Sequence, residues 1–242
     1  MISKCYKIAD KNVKINSLYN EVHEYCSDYL ANEKEDYVVT INESDIEYEK
    51  LKNEKELLKN GNNYDNYTDS YLETLAVYRK IAEKMIDFDT ILFHASAISV
   101  DEKAYIFTAT SGVGKSTHTK LWREYLGNKA VMINDDKPLI KVSDDVTVYG
   151  TPYNGKHRLS TNISVPLKAI CILTRSKENR IEKITKEKAY AMIVQQTYRS
   201  NNPEKMIKTL GLIDKLLDKI DFYLLGCNMD IEAAKIAYEG MK

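Results

Sequence analysis

Ala109-Thr110-Ser111-Gly112-Val113-Gly114-Lys115-Ser116-Thr117 sets two glycines, a lysine and a run of hydroxyl side chains in one short stretch. That combination reads as a phosphate-binding loop. Successive backbone N–H groups of such a loop wrap an anion at the positive end of the helix that follows. Gly112 and Gly114 let the backbone approach the phosphates, Lys115 reaches the β/γ-phosphates, and the Ser116 hydroxyl can ligate Mg²⁺. Thr110, Ser111, Gly112, Val113, Gly114, Lys115, Ser116 and Thr117 are therefore the expected nucleotide-binding set. The full pattern asks for glycine where Ala109 stands, so the match rests on its Gly-Val-Gly-Lys-Ser core. The bland alternative is a glycine turn capping an ordinary helix.

Phosphoryl transfer also needs a divalent metal and an oriented nucleophile. Asp135-Asp136 offers both: one carboxylate to hold Mg²⁺ and one to accept the proton of an incoming hydroxyl. A surface turn before Lys137-Pro138 is the competing reading. His94 could donate to a phosphate oxygen or modulate a carboxylate, or simply be hydrogen-bonded within an apolar strand. Lys156 and Arg158, in a polar loop, are candidates for steadying charge on the transferring group, with an exposed basic loop as their alternative. Trp122 and the tyrosines read as core, and His118 and His157 as surface.

These groups must be brought together by the elements around them. Thr90 to Val100 is apolar and strand-like, Asp101-Glu102-Lys103 is a polar turn, and Ala104 to Thr108 is the next strand. That is a hairpin with a three-residue loop. If Val100 faces Ala104, counting back sets His94 opposite Thr110, at the start of the loop. Lys115 to Leu126 has helical periodicity, with Leu121, Trp122, Tyr125 and Leu126 as its stripe and Gly127-Asn128 as its stop. Such a helix runs about 18 Å, and the strand Ala130 to Asn134 returns about 17 Å. The return path matches the outward one, so Asp135-Asp136 comes back to the level of the loop.

Elsewhere, strands are expected at Asn12–Ile15, Tyr37–Ile41, Val146–Tyr149, Ala169–Leu173 and Phe222–Leu225. Helices are expected at Leu18–Leu30, Tyr71–Ile86 and Pro203–Ile220, with a last one ending at Met241 and capped by Asn228 or Asp230. Leu51–Ser70, with Gly61-Asn62-Asn63, reads as a loose helix and an exposed connection. Lys183–Lys188 reads as a solvated charge run. Alternating strands and helices in the second half make the class α/β.

The chain carries 35 basic and 36 acidic residues, a net charge of −1, which gives no global pull toward nucleic acid or an anionic membrane. Four cysteines at 5, 26, 171 and 227 lack metal or redox spacing and read as reduced thiols. The polar start Met1-Ile2-Ser3-Lys4-Cys5 lacks an apolar signal region, and no apolar run reaches membrane-span length. A cytoplasmic location is the expectation.

His94, then Ser111-Gly112-Val113-Gly114-Lys115-Ser116, then Asp135-Asp136, resembles the C-terminal catalytic domain of the HPr kinase/phosphorylase family over about residues 88–175. The resemblance implies that family's P-loop fold, shared with phosphoenolpyruvate carboxykinase: a mixed β-sheet with flanking helices. It further implies ATP and Mg²⁺, phosphate binding by the loop and Lys115, metal ligation by Ser116 and Asp136, Asp135 as base, and His94 beside the phosphates. Ala109, and Tyr153-Asn154 in place of a metal-linked glutamate, depart from the family pattern. Related stand-alone kinases lie beside peptide-modifying enzymes and phosphorylate serine on precursor peptides; the chain is similar to them in size and layout.

The expectation is then an ATP- and Mg²⁺-dependent kinase domain over residues 86–242. Its acceptor would be a hydroxyl, serine foremost, of a peptide, protein or small molecule. Residues 1–85 form a small N-terminal α+β appendage. The rival is a nucleotide-binding regulatory module without transfer activity.

Overall fold

Two sheets each anchor one of two units, residues 1–84 and 85–242. The structure, a computed structural model, describes residues 1–60, 67–155 and 157–242.

In the first unit, β1 (Ile2–Ile8) and β2 (Lys11–Ser17) form an antiparallel hairpin. It turns on Ala9 and Asp10, at φ 49° and 62°. Two consecutive left-handed residues give a turn whose twist suits the flanking strands. β3 (Tyr37–Thr40) joins β2 in parallel. The helix expected over 18–30 is instead α1 (Glu21–Tyr25) and a 3-10 turn at Ser27–Tyr29. The buried Glu73 carboxylate takes the N–H groups of Leu18 and Tyr19 at 2.6 and 2.9 Å, just after β2. Glu73 lies on α3 (Asp69–Met85), preceded by α2 (Glu43–Asn60). The expected Gly61-Asn62-Asn63 connection lies outside the described residues.

His23 is buried in this unit, its ring bonded to the Tyr6 hydroxyl at 2.7 Å and to Ser17 Oγ at 2.9 Å. Burial pushes the imidazole below its ordinary pKa. The unfolded chain therefore binds the proton more readily. The stabilisation is complete above the unfolded value near ~6.5 and is lost as pH falls from there through the lowered folded value. Protection factors of the β1–β2 amides, exchange rates corrected for the intrinsic pH dependence of amide exchange, are expected to fall between pH 7.5 and 5.5, and less so in His23→Gln. An equal fall in both proteins would remove His23 from the explanation.

The second unit holds a nine-stranded mixed sheet. Its strands are β4 (Thr90–Leu92), β5 (Ser96–Val100), β6 (Lys103–Thr108), β7 (Ala130–Asn134), β8 (Leu139–Val142), β9 (Val146–Tyr149), β10 (Ser164–Arg175), β11 (Arg180–Ile184) and β12 (Asp221–Cys227). The order runs β4-β8-β9-β10-β6-β5-β7, with β12 on β10 and β11 on β12. The helices are α4 (Lys115–Leu126), α5 (Lys186–Gln196), α6 (Pro203–Lys219) and α7 (Ile231–Met241). Strand alternation splits the core into two layers. Ala104, Ile106, Ile170 and Ile172 pack with Ile193 of α5 and Leu212, Ile213 and Leu216 of α6. Tyr105, Phe107, Ala169 and Cys171 pack with Trp122 of α4 and Ala233, Ala234 and Ala237 of α7. The unit is α/β, with a mixed sheet flanked by helices on both faces.

The hairpin register differs from expectation by one residue. Val100 pairs with Lys103, and the turn is Asp101-Glu102 alone, both left-handed at φ 48° and 59°. Aspartate tolerates that region, and the two-residue turn matches the strand twist, so Lys103 enters the ladder. The apolar run 90–100 is also two strands, because β4 pairs with β8 whereas β5 pairs with β6 and β7. His94 sits in the break between them. Its N–H donates to the Gln196 carbonyl at 2.8 Å, and its carbonyl accepts from Thr108 Oγ1 at 3.1 Å.

β6, β10 and β12 are parallel, and β7 runs with them because it and β6 are each antiparallel to β5. The carboxyl ends of all four strands therefore lie at one end of the sheet, which is where open α/β sheets bind ligands. Residues 109–114, 135–138, 176 and 228–229 follow those ends, and His94 precedes β5 at the same end.

Candidate active site

Gly112 and Gly114 take φ 79° and 124° between β6 and α4, a backbone that other residues rarely adopt. The loop is closed by the Thr110 carbonyl, which accepts from the Val113 N–H at 3.4 Å, and by the Arg175 guanidinium, which donates to the Gly112 carbonyl at 2.6 Å. A cleft of 450 Å³ opens beside it. From the loop and α4 it is lined by Ser111, Gly112, Gly114, Lys115, Ser116 and Thr117; facing these are His94, Asp135, Asp136, Gly155 and His157. Thr110 is exposed at the loop's start, and Val113 lines a neighbouring cavity instead.

Asn134, fully buried, shapes the turn that presents the carboxylates. Its Oδ1 accepts the N–H groups of Asp136 and Lys137 at 2.9 and 2.6 Å, while its Nδ2 donates to the Thr151 carbonyl at 3.0 Å. The turn lets two consecutive residues face one cleft. Asp135 is 5% exposed; it accepts from Ser96 Oγ at 2.8 Å, and Ser116 lines the same cleft. Burial pushes its carboxyl above the ordinary range, and those two hydroxyls pull it only part of the way back. Asp136 meets His94 Nε2 at 3.2 Å and Lys137 Nζ at 3.1 Å. Burial raises it too, but the His94 hydrogen bond and the Lys137 charge outweigh burial and hold it below the ordinary range. Lys115 Nζ lies 3.5 Å from the Ala109 carbonyl; burial lowers its pKa against the opposing pull of Asp136.

Ser116, Asp135 and Asp136 supply oxygen donors alone, the set a Mg²⁺ ion takes. Among the described residues no cluster of three or more His, Cys, Asp or Glu forms a closed metal cage. Magnesium in phosphotransfer sites is held by one or two carboxylates, with substrate phosphates and water completing the shell.

The loop at 150–160 contributes His157 and Gly155; Gly155 sits at φ 69°, where an added Cβ would lie 3.1 Å from Asp136 Cβ. Arg158 is exposed outside the cleft lining at φ 51°. Lys156 lies outside the described residues. His157 is the residue from this loop that the sequence reading placed on the surface; it is exposed, yet it edges the cleft and its charge acts on Asp135. His118 is a correction. It is buried, stacks edge-on against Phe107 at 4.7 Å, accepts from Trp122 Nε1 at 3.1 Å, and is pushed down to about 4 by burial. Its helical spacing from Trp122 was the available signal. Arg175 was missed because nothing local ties it to a loop 63 residues away.

Among the described residues no helix is long and apolar enough to cross a membrane. The chain matches none of the curated proteins. Among solved structures it is similar to the Hpr(Ser) kinase/phosphatase from Coxiella burnetii, with 10% identity over 62% of this chain and 89% of that one and a TM-score of 0.36. The model of the family described as SynChlorMet cassette protein ScmC matches residues 62–227, more than half of the chain. The chain belongs to the ScmC family.

Proposed function

We propose that the chain is an ATP- and Mg²⁺-dependent phosphotransferase acting on a hydroxyl, serine foremost, of a peptide, protein or small molecule. The observation that carries this reading is the convergence of Lys115 and Ser116 with Asp135, Asp136 and His94 in one cleft at the carboxyl ends of β6 and β7. The loop N–H groups and Lys115 hold the phosphates. Asp135, desolvated and raised, accepts the proton of the attacking hydroxyl. Asp136, kept ionised by His94 and Lys137, is the better-charged metal ligand. Mg²⁺, when bound, neutralises charge on the phosphates. The sequence likeness to the HPr kinase family supports the same roles and a P-loop fold of that type for residues 86–242, with residues 1–85 as an appendage. Four free cysteines suit a reducing, cytoplasmic compartment.

The second reading is a nucleotide-binding module without transfer. Tyr153 and Asn154, where the resembling family carries a metal-linked glutamate, favour it; Asn154 donates to Ser160 at 2.7 Å instead. Incubation with γ-labelled ATP, Mg²⁺ and a panel of serine peptides separates the two, since the module binds ATP and labels nothing. Their shared premise is tested by Lys115→Ala. It is expected to weaken ATP about tenfold to a hundredfold in isothermal titration, in keeping with loss of a charge-assisted contact. Unchanged affinity would remove the phosphate loop from both.

A further inference from the structure

Behind the cleft, where the sheet packs on α4, two buried hydroxyls reach Asp135 in series. Ser96 Oγ donates to Asp135 Oδ1 at 2.8 Å and lies 2.9 Å from Thr119 Oγ1. Ser96 is fully buried and Thr119 is 1% exposed, and neither belongs to the cleft lining. Their buried sequence neighbours Ala95, Ala97, Leu121 and Trp122 are apolar. Alanine and valine would fill the same two places without taking hydroxyls out of water.

Proton accounting gives the pair a direction. An ionised carboxylate can only accept, so the single Ser96 proton is committed to Asp135. In the contact with Thr119 the Ser96 oxygen is then the acceptor and Thr119 the donor. Thr119 Oγ1 also lies 3.3 and 3.2 Å from the Lys115 and Ser116 carbonyls of its own helix, longer alternatives for the same proton. The chain runs from Thr119 through Ser96 to Asp135, each bond polarising the next. It joins α4, whose first turn carries Lys115 and Ser116, to the carboxylate that follows β7. The backbone of Asp135 is fixed separately, by its N–H on the Leu159 carbonyl at 3.0 Å. The Ser96 bond to Oδ1 restrains the side-chain torsions and leaves Oδ2 for the cleft.

We infer, on the footing of the phosphotransferase reading of this cleft, that Ser96 and Thr119 are positioning residues of the base. The hydroxyl pair holds Asp135 with Oδ2 toward the attacking hydroxyl, and ties that orientation to the helix that bears the phosphate loop. Neither residue touches a substrate. Orientation alone is worth this much structure, since a displacement of about 1 Å at a reacting group costs on the order of a hundredfold in rate.

The test uses the full chain with γ-labelled ATP, Mg²⁺ and the panel of serine peptides, at a temperature where every variant is folded. Ser96→Ala is expected to slow single-turnover transfer about tenfold to a hundredfold, as for loss of a hydrogen bond to a charged group, with the Kd for ATP within about twofold of wild type. Thr119→Val keeps the shape, loses the hydroxyl and is expected to slow transfer about threefold to tenfold. Thr119→Ser is expected to restore it. Because Thr119 acts through Ser96, and Ser96 through Asp135, Thr119→Val is expected to add nothing in Ser96→Ala, and neither variant to add anything in Asp135→Asn. Effects that sum in full, that persist in Asp135→Asn, or that fall on ATP affinity as much as on transfer would overturn the positioning role while the phosphotransferase reading stands. Transfer by Ser96→Ala at the wild-type rate would do the same. If the wild-type chain binds ATP and labels no peptide, the phosphotransferase reading fails first and carries the positioning role down with it.

Discussion

Asp135→Asn is expected to leave ATP bound and to slow phosphoryl transfer by about 10³-fold, inside the range that a positioned general base contributes. The substitution is nearly isosteric, and an amide oxygen can still accept from Ser96 Oγ, which lies 2.8 Å from the carboxylate. What the amide cannot do is take a proton. The buried setting that raises the Asp135 carboxyl is the one a base needs in order to stay basic when poised against a hydroxyl. Asp136→Asn should behave differently. It discharges a partner of His94 and Lys137 and is expected to raise the Mg²⁺ concentration needed for half-maximal transfer. Single-turnover transfer from γ-labelled ATP measures the first effect and a Mg²⁺ titration the second. Transfer by Asp135→Asn within threefold of wild type would take the base role away from Asp135. A metal requirement that shifts in Asp135→Asn and not in Asp136→Asn would exchange the two roles, since Ser116 and both carboxylates line the same cleft.

How much of this was legible in the sequence depends on how local each signal is. The loop, α4 and the returning β7 are written in one contiguous stretch, and their lengths alone set Asp135 and Asp136 level with Lys115. His94 was placed at the loop by a count that assumed one residue too many in the turn; the break between β4 and β5 then holds it near Asp136 by another route. α5 was hidden because it begins in Lys186-Glu187-Lys188, and Ala189, Ile193 and Gln196 alone of its residues are buried. β11 was hidden because its side chains are mostly exposed on the sheet's margin. β1 carries Lys4 and Lys7 between its apolar residues and buries fully at Tyr6 and Ile8 alone. In the site, His118 looked polar from its Thr117 and Thr119 neighbours, although one helical turn further Trp122 defines the buried face. Arg175 and Asn228 come to the loop through strand order, and strand order is a property of the whole sheet. Asn134 reads as the end of a strand until its amide is seen bonding two turns at once.

Gly150→Ala is expected to destabilise the second unit by about 3 kcal/mol, the upper part of the range for overpacking, because the clash is with backbone. A Cβ at Gly150 would lie 1.9 Å from the Thr161 carbonyl oxygen and 2.8 Å from that of Ile133. Neither neighbour can rotate away as a side chain would. The Thr161 N–H is itself donated to the Ile133 carbonyl at 3.1 Å, and the Gly150 N–H to the Ile163 carbonyl at 3.0 Å. Relief therefore means parting β9 from the segment 159–163, or that segment from the end of β7. The second movement reaches the chemistry, since the Asp135 N–H is held by the Leu159 carbonyl at 3.0 Å and Asn134 is anchored on Thr151. An apparent melting midpoint lower by on the order of 10 °C is expected, with transfer reduced even well below that midpoint. Gly211→Ala is the control. Gly211 lies inside α6 with open space where its Cβ would go, so alanine there should stabilise by about 0.5–1 kcal/mol and leave transfer alone. A Gly150→Ala protein as stable and as active as wild type would show that the 159–163 segment yields freely, and the rigid docking of that segment on β7 would then no longer explain how Asp135 is held.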